Sequence, residues 1–359
     1  MHKLPEIKRL LIVTDAAAPQ VNGVVRTIGN TTRHLEAMGV EVQMLTPERF
    51  RTIACPSYAE IRLSLTTSRT VERIIDEINP DALHVSTEGP LGWHARSAAL
   101  RRGWKFTTAF HTRFPEYVHA RTGIPPSWVY KVFKRFHGSA SAVLAPTPTI
   151  RDNLISHGFE RIVQWTHGVD HDIFYPRIAQ RPINKENPVF LYVGRLAIEK
   201  NVEAFLKLDL PGTKWVAGEG PIEQDLKRKY PEARYIGVLS QDDLAKLYSD
   251  ADVFVFPSLT DTFGLVMVEA MACGLPVAAF PVPGPLDVIA KSGAGVMNHD
   301  LRTACLEALR IPRQNAIAHA KTFSWEIASR KKLNALVWMR GDDAVFARHA
   351  APAVESVAL

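Results

Sequence analysis

Two acidic side chains flank a glycine in SLTDTFGLVMVEAMACGLPVAAF, residues 258–280. Asp261 precedes an apolar helical stretch, Gly264 stands where a predicted strand gives way to it, and Glu269 lies about one and a half turns inside. The N–H groups at a helix start favour a phosphate, and a carboxylate at the depth of Glu269 can reach a ribose diol. The two acids can therefore hold a nucleotide-sugar at both ends. Two solvated acids beside a strand–helix turn would show the same spacing, and the spacing alone favours neither interpretation.

Two cations flank a predicted loop in YVGRLAIEKN, residues 192–201. A predicted strand ends at Gly194, and Arg195 and Lys200 lie on either side of the short loop that leads into the next helix. Such a pair can neutralise a pyrophosphate leaving group as its negative charge develops. A basic loop that only caps a helix is a common alternative, so this pattern leaves both interpretations open.

A glycine follows the first predicted strand in PQVNGVVRT, residues 19–27. Gly23 would let the backbone approach a ligand closely. The segment lacks the G-x-G-x-x-G pattern of dinucleotide-binding folds, which disfavours a nicotinamide-dependent dehydrogenase. Glycine is common at such turns, and the segment on its own assigns no function.

The elements that must position these segments form two predicted α/β series. Short apolar runs alternate with amphipathic stretches, and the runs lack polar alternation, as expected for parallel strands covered on both faces. One series runs from RLLIVTD to SAVLAPT, and a second runs from PVFLYVG to PVAAF. The sequence therefore predicts two doubly wound domains facing each other across a cleft, where such sheets bind ligands.

The predicted boundaries divide the chain into four parts. We expect an amino-terminal domain over residues 1–170 and a carboxyl-terminal domain over residues 171–323, joined by a polar segment that contains prolines. A helix over residues 324–340 would cross back and pack on the first domain. Residues 341–359 are expected to form a flexible tail.

The composition disfavours several classes of protein. Of 359 residues, 46% are apolar and 22% are charged, as in soluble globular proteins, and no apolar run reaches the ~18 residues of a transmembrane helix. The apolar LLIVT near the start is short and is followed at once by Asp15, which favours a buried first strand over a signal peptide. Cys55, Cys273 and Cys305 are widely spaced, which disfavours a disulfide framework or a structural zinc site and favours a reducing cytoplasm.

The positive charge is concentrated in the first half of the chain. The net charge is +6, and residues 1–175 carry 21 Lys and Arg against 16 Asp and Glu. Nucleic acid or an anionic membrane surface would explain this excess. Because no nucleic-acid recognition module is present, we expect no nucleic-acid partner.

Several segments together resemble the family 4 glycosyltransferases, which are retaining sugar transferases with the GT-B architecture of two facing Rossmann-like domains. GRLAIEKN resembles their G-R-L-x-x-x-K segment, DTFGLVMVEAMACGLPV their E-x7-E segment, and HGVDHDIFYP their interdomain N-G-V-D-x-x-x-F-x-P. STEGPLGWHAR and AFHTRFPEY resemble the subset with sulfoquinovosyl-lipid synthases and lipid mannosyltransferases. The resemblance covers residues 9–338 and implies the α/β GT-B fold.

The resemblance implies that the donor binds to the carboxyl-terminal domain. Arg195 and Lys200 would bind its diphosphate and take part in catalysis. The backbone at Gly264 and Leu265 would also contact the phosphates, and Glu269 would hold the ribose.

The resemblance also implies residues at the reacting sugar. Asp261 would hold the transferred sugar, although it is one methylene shorter than the glutamate of the family pattern. His111, in AFHTRF, would lie near the reacting carbon, although a structural histidine would fit the same position. Gly23 would lie beside the phosphates and the acceptor.

Two features of the linker need separate interpretation. His167 stands where the family pattern has asparagine, which we interpret as a structural difference. Asp170 and Asp172 mimic a D-x-D metal site, but the GVD loop of the family already accounts for Asp170. We therefore expect no essential metal, with Arg195 and Lys200 supplying the positive charge, and no other cofactor.

A basic amphipathic helix is predicted within RTGIPPSWVYKVFKRFHGSA, residues 121–140. Four apolar residues can share one face and three cations lie largely elsewhere: Val129, Val132, Phe133 and Phe136, with Lys131, Lys134 and Arg135. Such a helix can lie in a membrane interface, where each cation contributes about 1 kcal/mol. A core-facing helix with a solvated basic rim is the alternative. The basic first half and the resemblance to glycolipid synthases favour the membrane.

The sequence therefore predicts a cytoplasmic enzyme, peripheral on the inner face of the cell membrane. It would move a hexose-type sugar, such as glucose or glucuronate, from a UDP-sugar to a lipid acceptor such as diacylglycerol. The alternatives are a GDP-mannose donor, a soluble or polysaccharide acceptor, and a non-catalytic subunit that only binds a nucleotide-sugar.

Overall fold

The computed structural model describes residues 6–18, 20, 22–55, 58–177 and 186–340. Within them, the chain forms two six-stranded parallel sheets and a two-stranded antiparallel hairpin. Each parallel sheet is accompanied by helices, so the predicted α/β class with two Rossmann-like domains is confirmed.

The amino-terminal domain contains the first sheet and the hairpin. Its strands are β1 (Arg9–Val13), β2 (Glu41–Leu45), β3 (Arg51–Cys55), β4 (Tyr58–Leu65), β5 (Ala82–Val85), β6 (Thr107–Ala109), β7 (Ala142–Ala145) and β8 (Ile162–Gln164). Its helices are α1 (Gly23–Ala37), α2 (Ser68–Ile78), α3 (Pro90–Arg102), α4 (Phe114–Thr122), α5 (Pro126–His137) and α6 (Pro148–Ser156), with a 3₁₀ turn over Pro47–Arg49.

The carboxyl-terminal domain contains the second sheet. Its strands are β9 (Val189–Val193), β10 (Thr213–Ala217), β11 (Arg234–Gly237), β12 (Val253–Phe256), β13 (Val277–Ala279) and β14 (Gly295–Met297). Its helices are α7 (Val202–Leu206), α8 (Glu223–Lys229), α9 (Gln241–Asp250), α10 (Leu265–Ala272), α11 (Pro285–Val288), α12 (Leu301–Ala308) and α13 (Arg313–Ala320), with a 3₁₀ turn over Ile198–Lys200. The last helix, α14 (Trp325–Ala335), follows this domain in the chain.

The two sheets share one topology. The first has the order β2-β1-β5-β6-β7-β8 and the second β11-β10-β9-β12-β13-β14. In each, the direction of strand succession reverses beside the first strand, between β1 and β5 and between β9 and β12. Such switch points open a crevice at the carboxyl ends of the strands, which is where doubly wound sheets bind ligands.

The strands carry the core because nearly every residue of the central ones is buried. All four residues of β5 and β12 and all five of β9 are buried, as the unbroken apolar runs of the sequence predict. Polar side chains cap several helices: Asn22, Ser240 and Ser324 accept hydrogen bonds from backbone N–H groups at the starts of α1, α9 and α14.

The last described segment returns to the amino-terminal domain. Helix α14 packs on α1, and the indole of Trp165 donates a hydrogen bond of 3.0 Å to the carbonyl of Ala328. The helix is shorter than the expected 324–340, because the chain becomes extended at Leu336. Met339 is fully buried and its N–H donates to the carbonyl of Asp81, so the apolar end of the segment packs as an extended chain.

Four of the observed strands were not predicted from the sequence. The hairpin of β3 and β4 and the outer strands β8 and β14 were not predicted; β8 has no fully buried residue, so its apolar pattern is weak. Residues 341–359, the predicted tail, lie outside the described residues. Among the described helices, none combines the length and the apolar character needed to cross a bilayer.

Candidate active site

The predicted site residues gather where the carboxyl ends of the two sheets face each other. Arg195 follows β9 and Asp261 follows β12, the two strands at the switch point of the second sheet. His111 follows β6 of the first sheet. The carbonyl of His111 accepts a hydrogen bond of 2.7 Å from the hydroxyl of Thr262, next to Asp261. The cleft between the domains therefore brings residues of both into one place.

Lys200 and Asp261 form a close ion pair in this cleft. The ammonium lies 2.5 Å from Oδ1 of Asp261 and 3.3 Å from the hydroxyl of Tyr117, which belongs to α4 of the other domain. Burial lowers the pKa of Lys200, but Asp261 and Tyr117 raise it by more, so its pKa lies well above the ordinary value. The lysine therefore stays protonated at neutral pH, and its ammonium can bind a phosphate as well as Asp261.

The loop that carries Lys200 is also held from the opposite domain. Arg121, one turn after Tyr117 on α4, donates to Glu199 at 2.8 Å, and the Glu199 side chain is only 2% exposed. Arg195 begins the same loop; its carbonyl accepts from the hydroxyl of Tyr192, and its side chain is half-buried. The loop is therefore shaped by both domains.

The start of α10 requires a glycine. Gly264 has φ of +83°, and a Cβ there would lie 2.7 Å from Met267 and 2.9 Å from Phe256. Leu265 is the first helical residue, and a Cβ on Gly23 would lie 3.9 Å from its side chain. The starts of α1 and α10, one from each domain, thus face each other, and both predicted glycines lie there.

Glu269 is buried one turn into α10. Its Oε1 lies 2.7 Å from Nη2 of Arg26 on α1, and its Oε2 accepts from Tyr248 at 3.4 Å. Burial raises the pKa of Glu269, and Arg26 and Tyr248 offset part of that rise. The carboxylate is held in position by groups from both sides of the cleft.

His111 is packed among polar and aromatic side chains. Its Nε2 is 2.9 Å from the hydroxyl of Ser86, and its ring packs edge-on against Trp165 with centroids 5.6 Å apart. Burial, followed by the nearby Lys332, lowers the pKa of His111 well below its ordinary value. The imidazole is therefore neutral at neutral pH, and a neutral ring donates one hydrogen bond from its N–H and accepts one at its other nitrogen.

His167, which stands in place of asparagine, belongs to the packing between the domains. Its ring stacks on Phe263 with centroids 4.7 Å apart and lies 4.7 Å from Trp165. The side chain is buried, as the structural interpretation expects.

Asp170 has a structural contact of its own. It accepts a hydrogen bond of 2.7 Å from Arg33 of α1. In the described ranges, no group of three or more His, Cys, Asp or Glu side chains is arranged to hold a metal ion. The structure thus gives Asp170 a role as an ion-pair partner of α1.

Helix α5 divides its apolar residues between two faces. Phe136 is fully buried and Phe133 packs against Phe110, so these two residues face the core. Val132 is 53% exposed, which corrects the single apolar face drawn from the sequence. Trp128, one turn earlier, is 67% exposed. The outer face of α5 is therefore both apolar and basic.

Four contributors to this site were not predicted: Arg26, Ser86, Tyr117 and Tyr248. Arg26 and Tyr117 lie in the quoted segments NGVVRT and AFHTRFPEY, so their neighbourhood was predicted but not their contacts. Tyr248 gives no sequence signal, because a tyrosine on the buried face of an amphipathic helix is common.

Known proteins resemble this chain in both of its domains. Residues 21–173 match the Glycosyltransferase Family 4 family, and residues 176–300 match Glycosyl transferases group 1. A sulfoquinovosyl transferase of Arabidopsis thaliana is 31% identical over 316 residues, which span 79% of this chain and 62% of that protein. The chain thus matches under two thirds of that relative's length.

Two further relatives match over most of their length. A GDP-mannose-dependent alpha-mannosyltransferase of Mycobacterium tuberculosis is 27% identical, covering 93% of this chain and 97% of that protein. An alpha-monoglucosyldiacylglycerol synthase of Streptococcus pneumoniae is 26% identical over 84% of this chain and 78% of that protein.

Solved structures confirm the fold. The sucrose-phosphate synthase of Thermosynechococcus elongatus superposes with a TM-score of 0.73 at 19% identity, covering 90% of this chain and 97% of that one. The HepE protein of Anabaena, solved with UDP and glucose, superposes with a TM-score of 0.66 at 16% identity. The match covers 91% of this chain and 98% of the HepE chain. Residues 21–173 thus belong to Glycosyltransferase Family 4 and residues 176–300 to Glycosyl transferases group 1, and the two domains together have the GT-B fold.

Proposed function

We propose that this glycosyltransferase is a retaining enzyme that moves a hexose-type sugar from a nucleoside diphosphate to a lipid hydroxyl such as that of diacylglycerol. The observation that carries the proposal is the ion pair of Lys200 and Asp261 in the cleft, beside the loop after β6 that contains His111. This arrangement supplies a cation for the leaving group and a carboxylate for the sugar in one place.

The donor would bind across the start of α10. Its diphosphate would contact Arg195, Lys200 and the N–H groups at Gly264 and Leu265, because a helix start and two cations favour a bound phosphate. The ribose would donate hydrogen bonds to Glu269. This assignment accounts for a buried carboxylate one turn below the helix start.

The transferred sugar would lie between Asp261 and His111. Oδ2 of Asp261 is buried and makes no hydrogen bond within the described structure, so it can accept from a sugar hydroxyl. In the reaction, the bond from the anomeric carbon to the diphosphate oxygen breaks and a bond to the acceptor oxygen forms. The acceptor's proton passes to the leaving diphosphate, whose charge Arg195 and Lys200 stabilise.

We propose UDP in preference to GDP as the nucleotide. The resemblance to glycolipid synthases supports UDP, and the GDP-mannose-dependent relative requires that both be tested. No step of the proposed reaction requires a metal, and we expect full activity after treatment with a chelator. Loss of activity on chelation, restored by one divalent cation, would overturn that expectation.

The acceptor would come from a membrane surface against α5. Trp128 and Val132 are exposed on its outer face, with Lys131, Lys134 and Arg135 exposed beside them. Apolar side chains that enter the interface and cations that attract anionic headgroups are the features of an interfacial helix. The diacylglycerol named in the Streptococcus relative agrees with a lipid acceptor. We place the enzyme on the cytoplasmic face of the cell membrane.

One experiment tests donor and acceptor together. The purified protein is incubated with extracted lipid and radiolabelled UDP-glucose, UDP-glucuronate, UDP-galactose or GDP-mannose, and the label is partitioned between organic and aqueous phases. Label from a UDP-sugar in the organic phase supports the proposal. Label from GDP-mannose, or label in water-soluble products without lipid, would favour the alternative donor or acceptor. Binding without transfer or hydrolysis would favour a non-catalytic subunit.

A further inference from the structure

Arg26 and Glu269 join the two domains at the proposed ribose site. Nη2 of Arg26 lies 2.7 Å from Oε1 of Glu269, and Nη1 lies 3.4 Å from Oε2. Arg26 is one turn into α1 and Glu269 one turn into α10, and the starts of these helices face each other at Gly23 and Leu265. The contact is therefore made only when the domains approach.

The side chain of Glu269 is only 6% exposed, against 24% for that of Arg26. The titratable groups that face the carboxyl are Arg26 from α1, Tyr248 from α9 and Cys273, which directly follows α10. Among the described residues, the carboxyl-terminal domain offers this carboxylate the Tyr248 hydroxyl and no cation.

A buried carboxylate needs a nearby cation to remain charged at low cost. A ribose diol can donate two hydrogen bonds to a carboxylate, but it is neutral and cannot replace the cation. Without Arg26, burial would favour the protonated form of Glu269, and a protonated carboxyl accepts fewer hydrogen bonds than a carboxylate. The amino-terminal domain thus provides a charge that the nucleotide site needs.

We propose that Arg26 is a positioning residue for the donor: its ion pair with Glu269 keeps this carboxylate charged and oriented toward the ribose hydroxyls. Nucleotide binding would then be coupled to domain closure through α1. This inference rests on the proposed function, in which Glu269 holds the ribose.

The test is isothermal titration of the full chain with UDP and with inorganic pyrophosphate, which has no ribose. We expect Arg26→Met to weaken UDP binding about tenfold and to leave pyrophosphate binding unchanged. Arg26→Lys should restore part of the loss, because it keeps the charge. Arg33→Met is the control, since Arg33 also lies on α1 and pairs with Asp170, away from Glu269.

Two further readouts separate this role from a purely structural one. In a Glu269→Gln background, Arg26→Met should add no loss of UDP affinity, because a carboxamide needs no cation. The UDP affinity of Arg26→Met should fall as the pH is lowered below neutrality, since Glu269 without its arginine protonates more readily, while wild-type affinity changes less.

The outcomes are distinguishable. If Glu269→Gln weakens UDP binding and Arg26→Met does not, the inference fails and the ribose site stands. If Arg26→Met weakens pyrophosphate binding as much as UDP binding, Arg26 is a phosphate ligand and the inference fails. If Glu269→Gln leaves UDP binding unchanged, both the ribose site and the inference are overturned.

Discussion

The ammonium of Lys200 lies 2.5 Å from the carboxylate of Asp261, and these two side chains follow the neighbouring strands β9 and β12. The ammonium that we propose to bind the leaving diphosphate is thus neutralised by the carboxylate that we propose to bind the sugar. A diphosphate that binds Lys200 would compete with Asp261 and release the carboxylate toward sugar hydroxyls. Donor binding would therefore prepare the sugar contact.

Replacement of either proposed donor contact should abolish most of the activity. We expect Lys200→Ala and Glu269→Ala each to lower turnover by about 100-fold or more, because the first removes stabilisation of the leaving group and the second the ribose anchor. Steady-state kinetics with the active donor measures this. Lys207→Ala is the control, since Lys207 is 61% exposed on the same domain. Near-normal activity in both variants would show that the site is misplaced.

Asp261→Asn should lower kcat more than it raises KM for the donor. The amide keeps the size of the side chain but forms no ion pair with Lys200 and has one neutral acceptor oxygen in place of two charged ones. Nucleotide affinity should be preserved, because Lys200 then has no carboxylate that competes with phosphate. Titration with UDP alongside kinetics checks both parts, and a large loss of UDP affinity with unchanged kcat would contradict this role.

Reversal of the charges on α5 should release the protein from anionic membranes. We expect the triple change of Lys131, Lys134 and Arg135 to glutamate to lower co-sedimentation with anionic liposomes. The expected loss is about 3 kcal/mol or more, at about 1 kcal/mol for each lost cation. A matched control reverses three exposed lysines on the other domain: Lys246, Lys291 and Lys321. Equal co-sedimentation of wild type and the α5 variant would remove the proposed membrane face.

Lys332 should make stability depend on pH. It is fully buried in α14, with its ammonium 5.2 Å from the centroid of the Trp165 ring and without a hydrogen-bond partner in the described structure. Burial lowers its pKa to about 7, from 10.5 in an exposed lysine. Between these values the unfolded chain binds more protons, so this residue makes stability rise with pH.

Lys332→Met should therefore be more stable than wild type near pH 7, by on the order of 4 kcal/mol at most, and the difference should shrink toward about pH 10. Urea unfolding of both proteins across this range measures the difference. A difference that stays constant with pH would show that the buried ammonium is not the cause.

Some of the site follows from sequence because parallel strands end at one edge of a sheet. Arg195 and Asp261 follow apolar runs that form β9 and β12, so their common location could be predicted from the order of the elements. The pairing of Glu269 with Arg26 could not be predicted from the sequence, because it depends on how closely the two domains approach each other.

The faces of α5 could not be predicted for a different reason. Trp128 and Val132 on one side and Phe133 and Phe136 on the other give the helix apolar residues almost all round, so periodicity does not choose the buried face. The hairpin of β3 and β4 was not predicted because the residues of β3 are mostly exposed and give no apolar run.

The location of the donor is the claim on which the proposed function depends. A crystal structure of the protein with bound UDP measures it most directly. The account predicts both phosphates within hydrogen-bond distance of Arg195 and Lys200 at the start of α10, with the ribose on Glu269. UDP bound elsewhere on the chain, with these side chains untouched, would contradict it.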